Sequence, residues 1–191
     1  MAEEAGQVIV DEELDAQEEA RRRLALAQIR QWGDPALRLR AHEVESFDED
    51  LDRLVQRMIA LMHDAHGVGL AATQVGILRR VFVFETQEHP ARAIVNPKVV
   101  DPSPETEIDE EGCLSLQEVR VPVERPVSVA VEGLDEKGEA VRLELQGLAA
   151  RVVQHEIDHL DGVLILDRTD AESRRGALAV LRPTPILDAH L

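Results

Sequence analysis

The sequence predicts an α+β fold in which antiparallel β-sheets pack around a central helix, with a further helix near the C-terminus. Helical periodicity is concentrated in two separate segments, at about 46–67 and 148–161, and a shorter helix is expected at about 170–181. The predicted strands are joined to one another by local turns. This favours an α+β fold over an α/β fold, in which strands and helices alternate along the chain. With 191 residues, 44% of them apolar, the chain is expected to form one globular domain.

Acidic side chains dominate the charge, and they are concentrated at the N-terminus. The net charge is −17, and the first 20 residues contain eight acidic side chains and no basic one. Such a field opposes sequence-independent binding to nucleic acid. We therefore expect an acidic extension at 1–23, solvated or partly helical, followed by a folded domain at 24–182 and a C-terminal tail at 183–191.

The first strongly amphipathic helix is predicted to begin at Ser46 and to end near Gly67. Ser46 and Glu49 match a capping box. Apolar residues then recur at helical spacing, namely Leu51, Leu54, Val55, Met58, Leu61 and Met62. These side chains are expected to face the core, which explains the methionines without a functional role.

Strands are predicted at 81–84 and 93–95, and Asn96-Pro97 is expected to close the second of them. An antiparallel hairpin is predicted further along, because apolar residues alternate at 127–131 and at 141–145. The segment 135–138 between these two runs contains aspartate and glycine, which favour a tight turn.

The motif His-Glu-Ile-Asp-His at 155–159 falls within the predicted helix 148–161. Residues four apart lie one above the other on a helix, so both imidazoles can hold one metal ion. Glu156 can then reach a water molecule at that ion. Leu148 and Val152 lie on the same face, and the opposite face is also apolar, so the helix must be buried. The alternative is a chance match with two hydrogen-bonded core histidines.

Two ligands do not complete a catalytic site, which usually has three protein ligands and a position for water. Downstream carboxylates and His190 are available, but none matches an extended metallopeptidase pattern. Upstream lies the only cysteine, Cys113, in Glu-Gly-Cys-Leu-Ser at 111–115. A thiolate is a strong ligand, whereas a lone cysteine is also commonly a small buried apolar residue. The residues alone leave both interpretations open.

Small residues are dense in Gly-Val-Gly-Leu-Ala-Ala-Thr-Gln at 67–74. They permit tight passage of the backbone beside a cleft, and Gln74 supplies an amide donor, although such segments often indicate only close packing. The spacing excludes a dinucleotide fingerprint, and a phosphate loop would need Gly-Lys-Ser/Thr.

Taken together, the segments 67–74, 111–115 and 154–159 resemble the three signature motifs of the peptide deformylase family, in the family's order and approximate spacing. Each motif alone has low to moderate specificity, but the three together are highly specific. The resemblance extends from about Ile29 to Leu181. It includes Asp34-Pro35-Ala36-Leu37-Arg38, Asn96-Pro97, Arg120 and Arg125.

The resemblance implies a metal-dependent hydrolase that removes the formyl group from the N-terminal formyl-methionine of newly made proteins and releases formate. One divalent metal ion would be held by Cys113, His155 and His159. Glu156 would accept the proton of the attacking water and pass it to the departing amine. The Gln74 side-chain amide and the Leu114 backbone N–H would stabilise the charge on the carbonyl oxygen.

The resemblance also implies how the substrate is held. The Gly69 backbone would pair with the main chain of the peptide as an added strand does. Val68, Leu148 and Val152 would help to line an apolar pocket for the methionine side chain. Glu111 and Asp158 are candidates either to orient the ligand imidazoles or to form an ion pair with Arg120 or Arg125.

The metal implied by the resemblance is Fe²⁺ in the cell, and Zn²⁺, Ni²⁺ or Co²⁺ also suits this donor set. The expected partners are N-formyl-methionyl nascent peptides, and we expect a monomer in the bacterial cytosol with no membrane segment. Some bacterial members dock on the ribosome through a basic C-terminal helix. Because residues 167–182 have a net charge of only +1 here, we expect at most a weak association with the ribosome. Gln117 replaces the proline of many members, and the acidic extension has no counterpart in the family core.

Two rival functions follow from the same motifs. A metallopeptidase that cleaves internal peptide bonds would share the helix motif but would leave Cys113 and Gln74 without roles. A metal-binding protein without activity is the other rival. The presence of every residue assigned to the chemistry argues against that second alternative.

Overall fold

The structure is a computed structural model, and it describes residues 16–182. Residues 1–15 of the predicted extension and the predicted tail 183–191 lie outside the described residues. The α-helices are α1 (Ala16–Leu26), α2 (Glu49–Asp64), α3 (Gly147–Leu160), α4 (Ile165–Arg168) and α5 (Ala171–Leu181). The strands are β1 (Gly69–Ala71), β2 (Val81–Thr86), β3 (His89–Val100), β4 (Thr106–Cys113), β5 (Leu116–Pro126), β6 (Ser128–Leu134) and β7 (Ala140–Gln146). Two short 3-10 helices span Pro35–Arg38 and Ala72–Val75.

The strands form two antiparallel sheets, as the α+β prediction requires. The larger sheet has five strands in the order β1-β2-β3-β6-β7, and the smaller one consists of β4 and β5. The predicted hairpin corresponds to β6 and β7, in which Val131 pairs with Leu143 and Val129 with Leu145. Strand β1 is the outer strand of the larger sheet, since it pairs only with β2 within the described sheets.

Helices α2 and α3 cover opposite faces of the larger sheet. Side chains of a strand point alternately to its two faces. In β2, Val81 and Val83 pack in the apolar cluster of α2, whereas Phe82 and Phe84 pack in that of α3. A third cluster joins the smaller sheet to the C-terminal helices through Val121, Val123, Leu164, Ile165 and Ala177. The smaller sheet is thereby fixed against α4 and α5.

Helix α1 crosses the boundary at residue 23 that the sequence suggested, because it continues to Leu26. Ala25 and Leu26 are buried in the α2 cluster, whereas Leu24 is 68% exposed. A hydrogen bond from Arg57 of α2 to Gln28 extends this contact. The C-terminal part of α1 is thus packed against the domain.

The predicted start of α2 at Ser46 is wrong, because the N-terminal cap is Asp48. Its carboxylate accepts hydrogen bonds from the backbone N–H groups of Asp50 and Leu51, at 3.1 Å each. Aspartate and serine are comparably good caps, and only the local backbone decides between them. The helix also ends at Asp64, before the predicted end at Gly67.

Asn96 does not close a strand, as had been expected, because β3 continues to Val100. Asn96 has φ of 50°, a left-handed conformation that asparagine tolerates. The register with β6 shifts between Val95 and Lys98, which identifies a bulge. The Asn96 side chain exchanges two hydrogen bonds with the backbone of Val44, so this residue joins the strand to the preceding loop.

Candidate metal centre and active site

Helix α3 brings two imidazoles to one side, as the spacing of the motif predicts. The ring centroids of His155 and His159 lie 4.9 Å apart in an edge-to-face arrangement. Both residues are buried, and Thr73 fixes the end of the helix by donating its hydroxyl to the carbonyl of His159 at 3.1 Å.

The end of β4 brings Cys113 to the same place. The Cys113 Sγ lies 3.2 Å from the His159 Nε2. One donor atom from each of Cys113, His155 and His159 lies within 4.8 Å of the other two. Donors of a tetrahedral site, bonded at about 2.0–2.3 Å, are about 3.3–3.6 Å apart. The three residues predicted as ligands therefore lie close enough together that they could hold one metal ion.

The hydrogen bonding of the imidazoles also fits a metal ion. The His155 Nε2 is buried and has no hydrogen-bond partner among residues 16–182, which is unusual for a buried polar atom. Its Nδ1 lies 3.0 Å from the Glu111 carboxylate. Burial holds the pKa of His159 well below its usual value. His159 is consequently neutral, the form in which histidine binds a metal.

Glu111 is fully buried and is held by two arginines as well as by His155. Its carboxylate accepts hydrogen bonds from Arg125, at 2.6 and 2.9 Å, and from Arg151 at 2.9 Å. Burial would raise the pKa of Glu111, but the hydrogen bonds of Arg125 and His155 outweigh burial and hold that pKa far below its usual range. An ionised Glu111 fixes the orientation of the His155 ring, an arrangement typical of metal-binding histidines.

Asp158 extends this network away from the imidazoles. It accepts hydrogen bonds from Arg125 at 2.8 Å and from Arg168 of α4 at 3.1 Å. The sequence left two roles open for Glu111 and Asp158, namely orienting a ligand imidazole and forming an ion pair. Glu111 has both roles, because it contacts His155 and Arg125. Asp158 forms the ion pairs only, and Arg125 rather than Arg120 is the cation in both cases.

The Gln74 side chain is fixed at both ends within the site. Its carbonyl accepts a hydrogen bond from the Ala71 backbone N–H at 2.9 Å. Its amide donates to the Ser115 hydroxyl at 3.1 Å and points to the Cys113 Sγ at 3.7 Å. The amide donor is thus held beside the cysteine in a fully buried position.

Glu156 lies where β1 passes close to α3. It is fully buried, and a Cβ atom at Gly69 would lie only 2.3 Å from its Oε1. Any larger residue at position 69 would displace this carboxylate. The glycine is required by close approach, as the density of small residues in 67–74 suggested.

The apolar residues expected to bind the substrate also lie together. Val152 is buried in the α3 cluster, and Val68 and Leu148 are partly buried against that cluster. Val68 precedes β1 and Leu148 lies in the first turn of α3. Val68, Leu148 and Val152 thus belong to one apolar region, and their role in binding the methionine side chain stays a prediction.

Sequence reasoning missed Arg151 and Ser115. Arg151 is 5% exposed and donates to Glu111 and to the Val123 carbonyl at 2.9 Å. Its position between Ala150 and Val152 on an apolar helix is the signal that could have identified it as a buried, paired cation.

The fold is mixed, with antiparallel sheets. A buried Cys-His-His cluster that could hold a single metal ion lies beside a buried glutamate. Together these features define a metal-dependent hydrolase. Within the described part of the chain, no helix is both long and apolar enough to cross a membrane.

Comparisons with known proteins identify the family within this class. The family model for polypeptide deformylase matches residues 26–175. A peptide deformylase of Thermotoga maritima is 50% identical over 146 residues, which cover 76% of this chain and 88% of the relative. Peptide deformylase 1 of Corynebacterium glutamicum is 46% identical over 162 residues, covering 83% of this chain and 96% of the relative.

Solved structures agree with the sequence relatives. The crystal structure of the Thermotoga maritima peptide deformylase has a TM-score of 0.72 at 50% identity and covers 74% of this chain and 96% of its own. The peptide deformylase of Ehrlichia chaffeensis in complex with actinonin has a TM-score of 0.77 at 36% identity and covers 81% and 94%. The chain belongs to the polypeptide deformylase family, whose members are metal-dependent hydrolases that remove N-formyl groups.

Proposed function

We propose that Cys113, His155 and His159 hold one divalent metal ion at which the N-formyl group of formyl-methionyl peptides is hydrolysed. The observation that carries this proposal is the convergence of one sulfur and two nitrogen donors within 4.8 Å of one another. A buried Glu156 and the donor of Gln74 lie beside that cluster. A divalent cation bound there lowers the pKa of a water molecule from about 15.7 toward 7.

Glu156 transfers the proton in this mechanism. It accepts a proton from the water whose oxygen attacks the formyl carbon. It then donates that proton to the nitrogen of the departing amine as the carbon–nitrogen bond breaks, so the products are formate and a free N-terminus. The burial of Glu156 beside Gly69, next to the proposed ligand His155, supports this role.

Gln74 and Leu114 stabilise the charge that develops on the carbonyl oxygen. The Gln74 amide is preorganised by its bonds to Ala71 and Ser115, and Leu114 follows Cys113 directly. A preorganised donor of this kind is worth about 3–4 kcal/mol in the transition state.

The substrate is proposed to add to the outer edge of β1. Its main chain pairs with Gly69, and the methionine side chain enters the apolar region formed by Val68, Leu148 and Val152. Since a formyl group is very small, the methionine and the backbone must supply the recognition. The position of β1 at the edge of the larger sheet supports this binding mode.

For the metal in the cell we propose Fe²⁺, with Zn²⁺, Ni²⁺ or Co²⁺ able to replace it. Elemental analysis of protein purified without oxygen, paired with activity after reconstitution with each metal, tests this choice. Zinc as the only metal recovered, together with full activity of the zinc form, would contradict it.

We further propose that the protein acts as a monomer on nascent chains in the bacterial cytosol. Arg174 of α5 donates to the Leu166 carbonyl at 3.2 Å, so part of the basic charge near the C-terminus is used within the domain. Ribosome association through α5 stays a prediction that a salt-dependent pelleting assay checks. Gel filtration with light scattering checks the monomer.

Formate release provides the test of the function. We expect the metal-loaded protein to release formate from formyl-Met-Ala-Ser and to leave a formyl-free peptide with internal methionine intact. Cleavage of the internal peptide bond without formate release would instead establish the rival metallopeptidase.

A further inference from the structure

A cavity of about 270 Å³ lies between α1 and the segment that carries Cys113. Arg22 and Leu26 line it from α1, while Cys113, Leu114 and Arg120 line it from the other side. The match to the family model begins at residue 26, so Arg22 lies outside the matched segment. A residue outside the matched segment therefore lines a cavity that reaches a proposed metal ligand.

The cavity has two cationic side chains in its wall, Arg22 and Arg120, and one carboxylate, Glu118. The Arg22 Nε is buried and has no hydrogen-bond partner within the described part of the chain. A guanidinium matches the planar geometry of a carboxylate and donates to it through charge-assisted hydrogen bonds. The chemistry of this wall favours a ligand with a carboxylate.

The cavity also lies beside the proposed path of the substrate. A Cβ atom at Gly67 would lie 2.8 Å from the Leu114 Cδ1, so the segment leading into β1 faces the loop after Cys113. A peptide that pairs with Gly69 and has its formyl group at Cys113 runs along this boundary. Because an extended chain advances about 3.3 Å per residue, the first two residues after methionine lie close enough to the metal centre to present side chains to the cavity.

We propose that Arg22 is a specificity-determining residue that, with Arg120, selects substrates with aspartate or glutamate in the first two positions after the methionine. The proposal rests on the proposed function. The net charge of −17 repels acidic peptides in general, so a local cationic cavity is the feature that admits them. The extension thereby contributes to the choice of substrate.

The test compares acidic peptides with their neutral isosteres. We expect kcat/KM for formyl-Met-Glu-Ala or formyl-Met-Ala-Glu to exceed that of the matching glutamine peptide by about fivefold, the upper range for a partly exposed ion pair. In R22Q most of this preference is lost, because only Arg120 remains, and in R22K part of it is kept. The preference also decreases as salt is added.

R21Q is the matched control, because it removes the same charge from an exposed neighbour on the same helix. We expect R21Q to keep the wild-type ratio, and circular dichroism of both variants checks that α1 is retained. A wild-type ratio of one, an unchanged ratio in folded R22Q, or an equal loss in R21Q would overturn the proposal. Failure to hydrolyse any formyl peptide would count against the proposed function instead.

Discussion

Helices α2 and α3 lie on opposite faces of the same sheet, yet they bury different kinds of side chain. The buried residues of α2 are all apolar, and its polar residues face solvent. The buried residues of α3 include Arg151, His155, Glu156, Asp158 and His159. Burial of so many ionisable groups is costly unless each has a partner. The comparison shows that α2 stabilises the core, whereas α3 carries the proposed catalytic and metal-binding side chains. Substitutions of buried residues in α2 should therefore lower the free energy of unfolding and leave kcat unchanged, whereas substitutions of the proposed site residues in α3 should lower kcat.

The largest effect is expected at Glu156. E156Q keeps the size of the side chain but removes the base, so kcat should fall by about 10²–10⁴-fold. Metal content should stay at the wild-type level, because Glu156 is not among the proposed ligands. Steady-state kinetics combined with elemental analysis provides the measurement. A fully active E156Q would show that the proton is transferred by another group.

Next in size is the loss of the carboxylate at Glu111. E111Q leaves the buried Arg125 and Arg151 without their shared anion and should lower the free energy of unfolding by about 3–5 kcal/mol. It should also weaken metal binding, since the His155 ring loses its partner. Denaturant unfolding and competitive metal chelation measure the two effects. E107Q, on the exposed side of β4, is the control and should change neither by much.

Gln74 should affect rate more than stability. Q74L removes the amide donor and should lower kcat by about 10²–10³-fold. S115A removes only the hydroxyl that accepts from Gln74, so its effect on kcat should stay below tenfold. If both variants had the same small effect, Gln74 would be a structural residue and the oxyanion would be stabilised elsewhere.

Val55 of α2 tests the other side of the comparison and should have the smallest effect. V55A removes two buried methyl groups, at about 0.8 kcal/mol each, so the free energy of unfolding should fall by about 1.5–2 kcal/mol. At temperatures where the variant is folded, kcat should match the wild type. Thermal unfolding and kinetics on one preparation measure both. A large loss of kcat in folded V55A would break the distinction between the two helices.

The sequence predicted several elements whose apolar residues follow one period, although β5, in which Val119, Val121 and Val123 alternate, was not predicted. Helices α2 and α3 and the hairpin β6–β7 belong to the predicted group. It missed β4 as a strand, because Glu107, Asp109 and Glu110 leave no apolar alternation there. The predicted start of α2 and the predicted end of β3 were wrong for local reasons. Asp48 competes with Ser46 as the N-terminal cap of the helix, and Asn96 tolerates a bulge within the strand.

For the candidate site, local spacing identified the two histidines, but only the resemblance linked them to Cys113 and Gln74. These residues lie 42 and 81 positions before His155 in the chain, and no periodicity spans such separations. Arg151 was missed for the same reason, because its partner Glu111 lies 40 residues away. Long-range pairing of polar groups is decided by the tertiary fold.

The central claim is that one thiolate and two imidazoles bind a single metal ion, and substitution with Co²⁺ tests it most directly. We expect one cobalt ion per chain, with strong near-ultraviolet absorption from thiolate-to-cobalt charge transfer and visible bands of tetrahedral coordination. C113S should lose the charge-transfer absorption. Binding of cobalt without that absorption in the wild type, or an unchanged spectrum in C113S, would contradict the account.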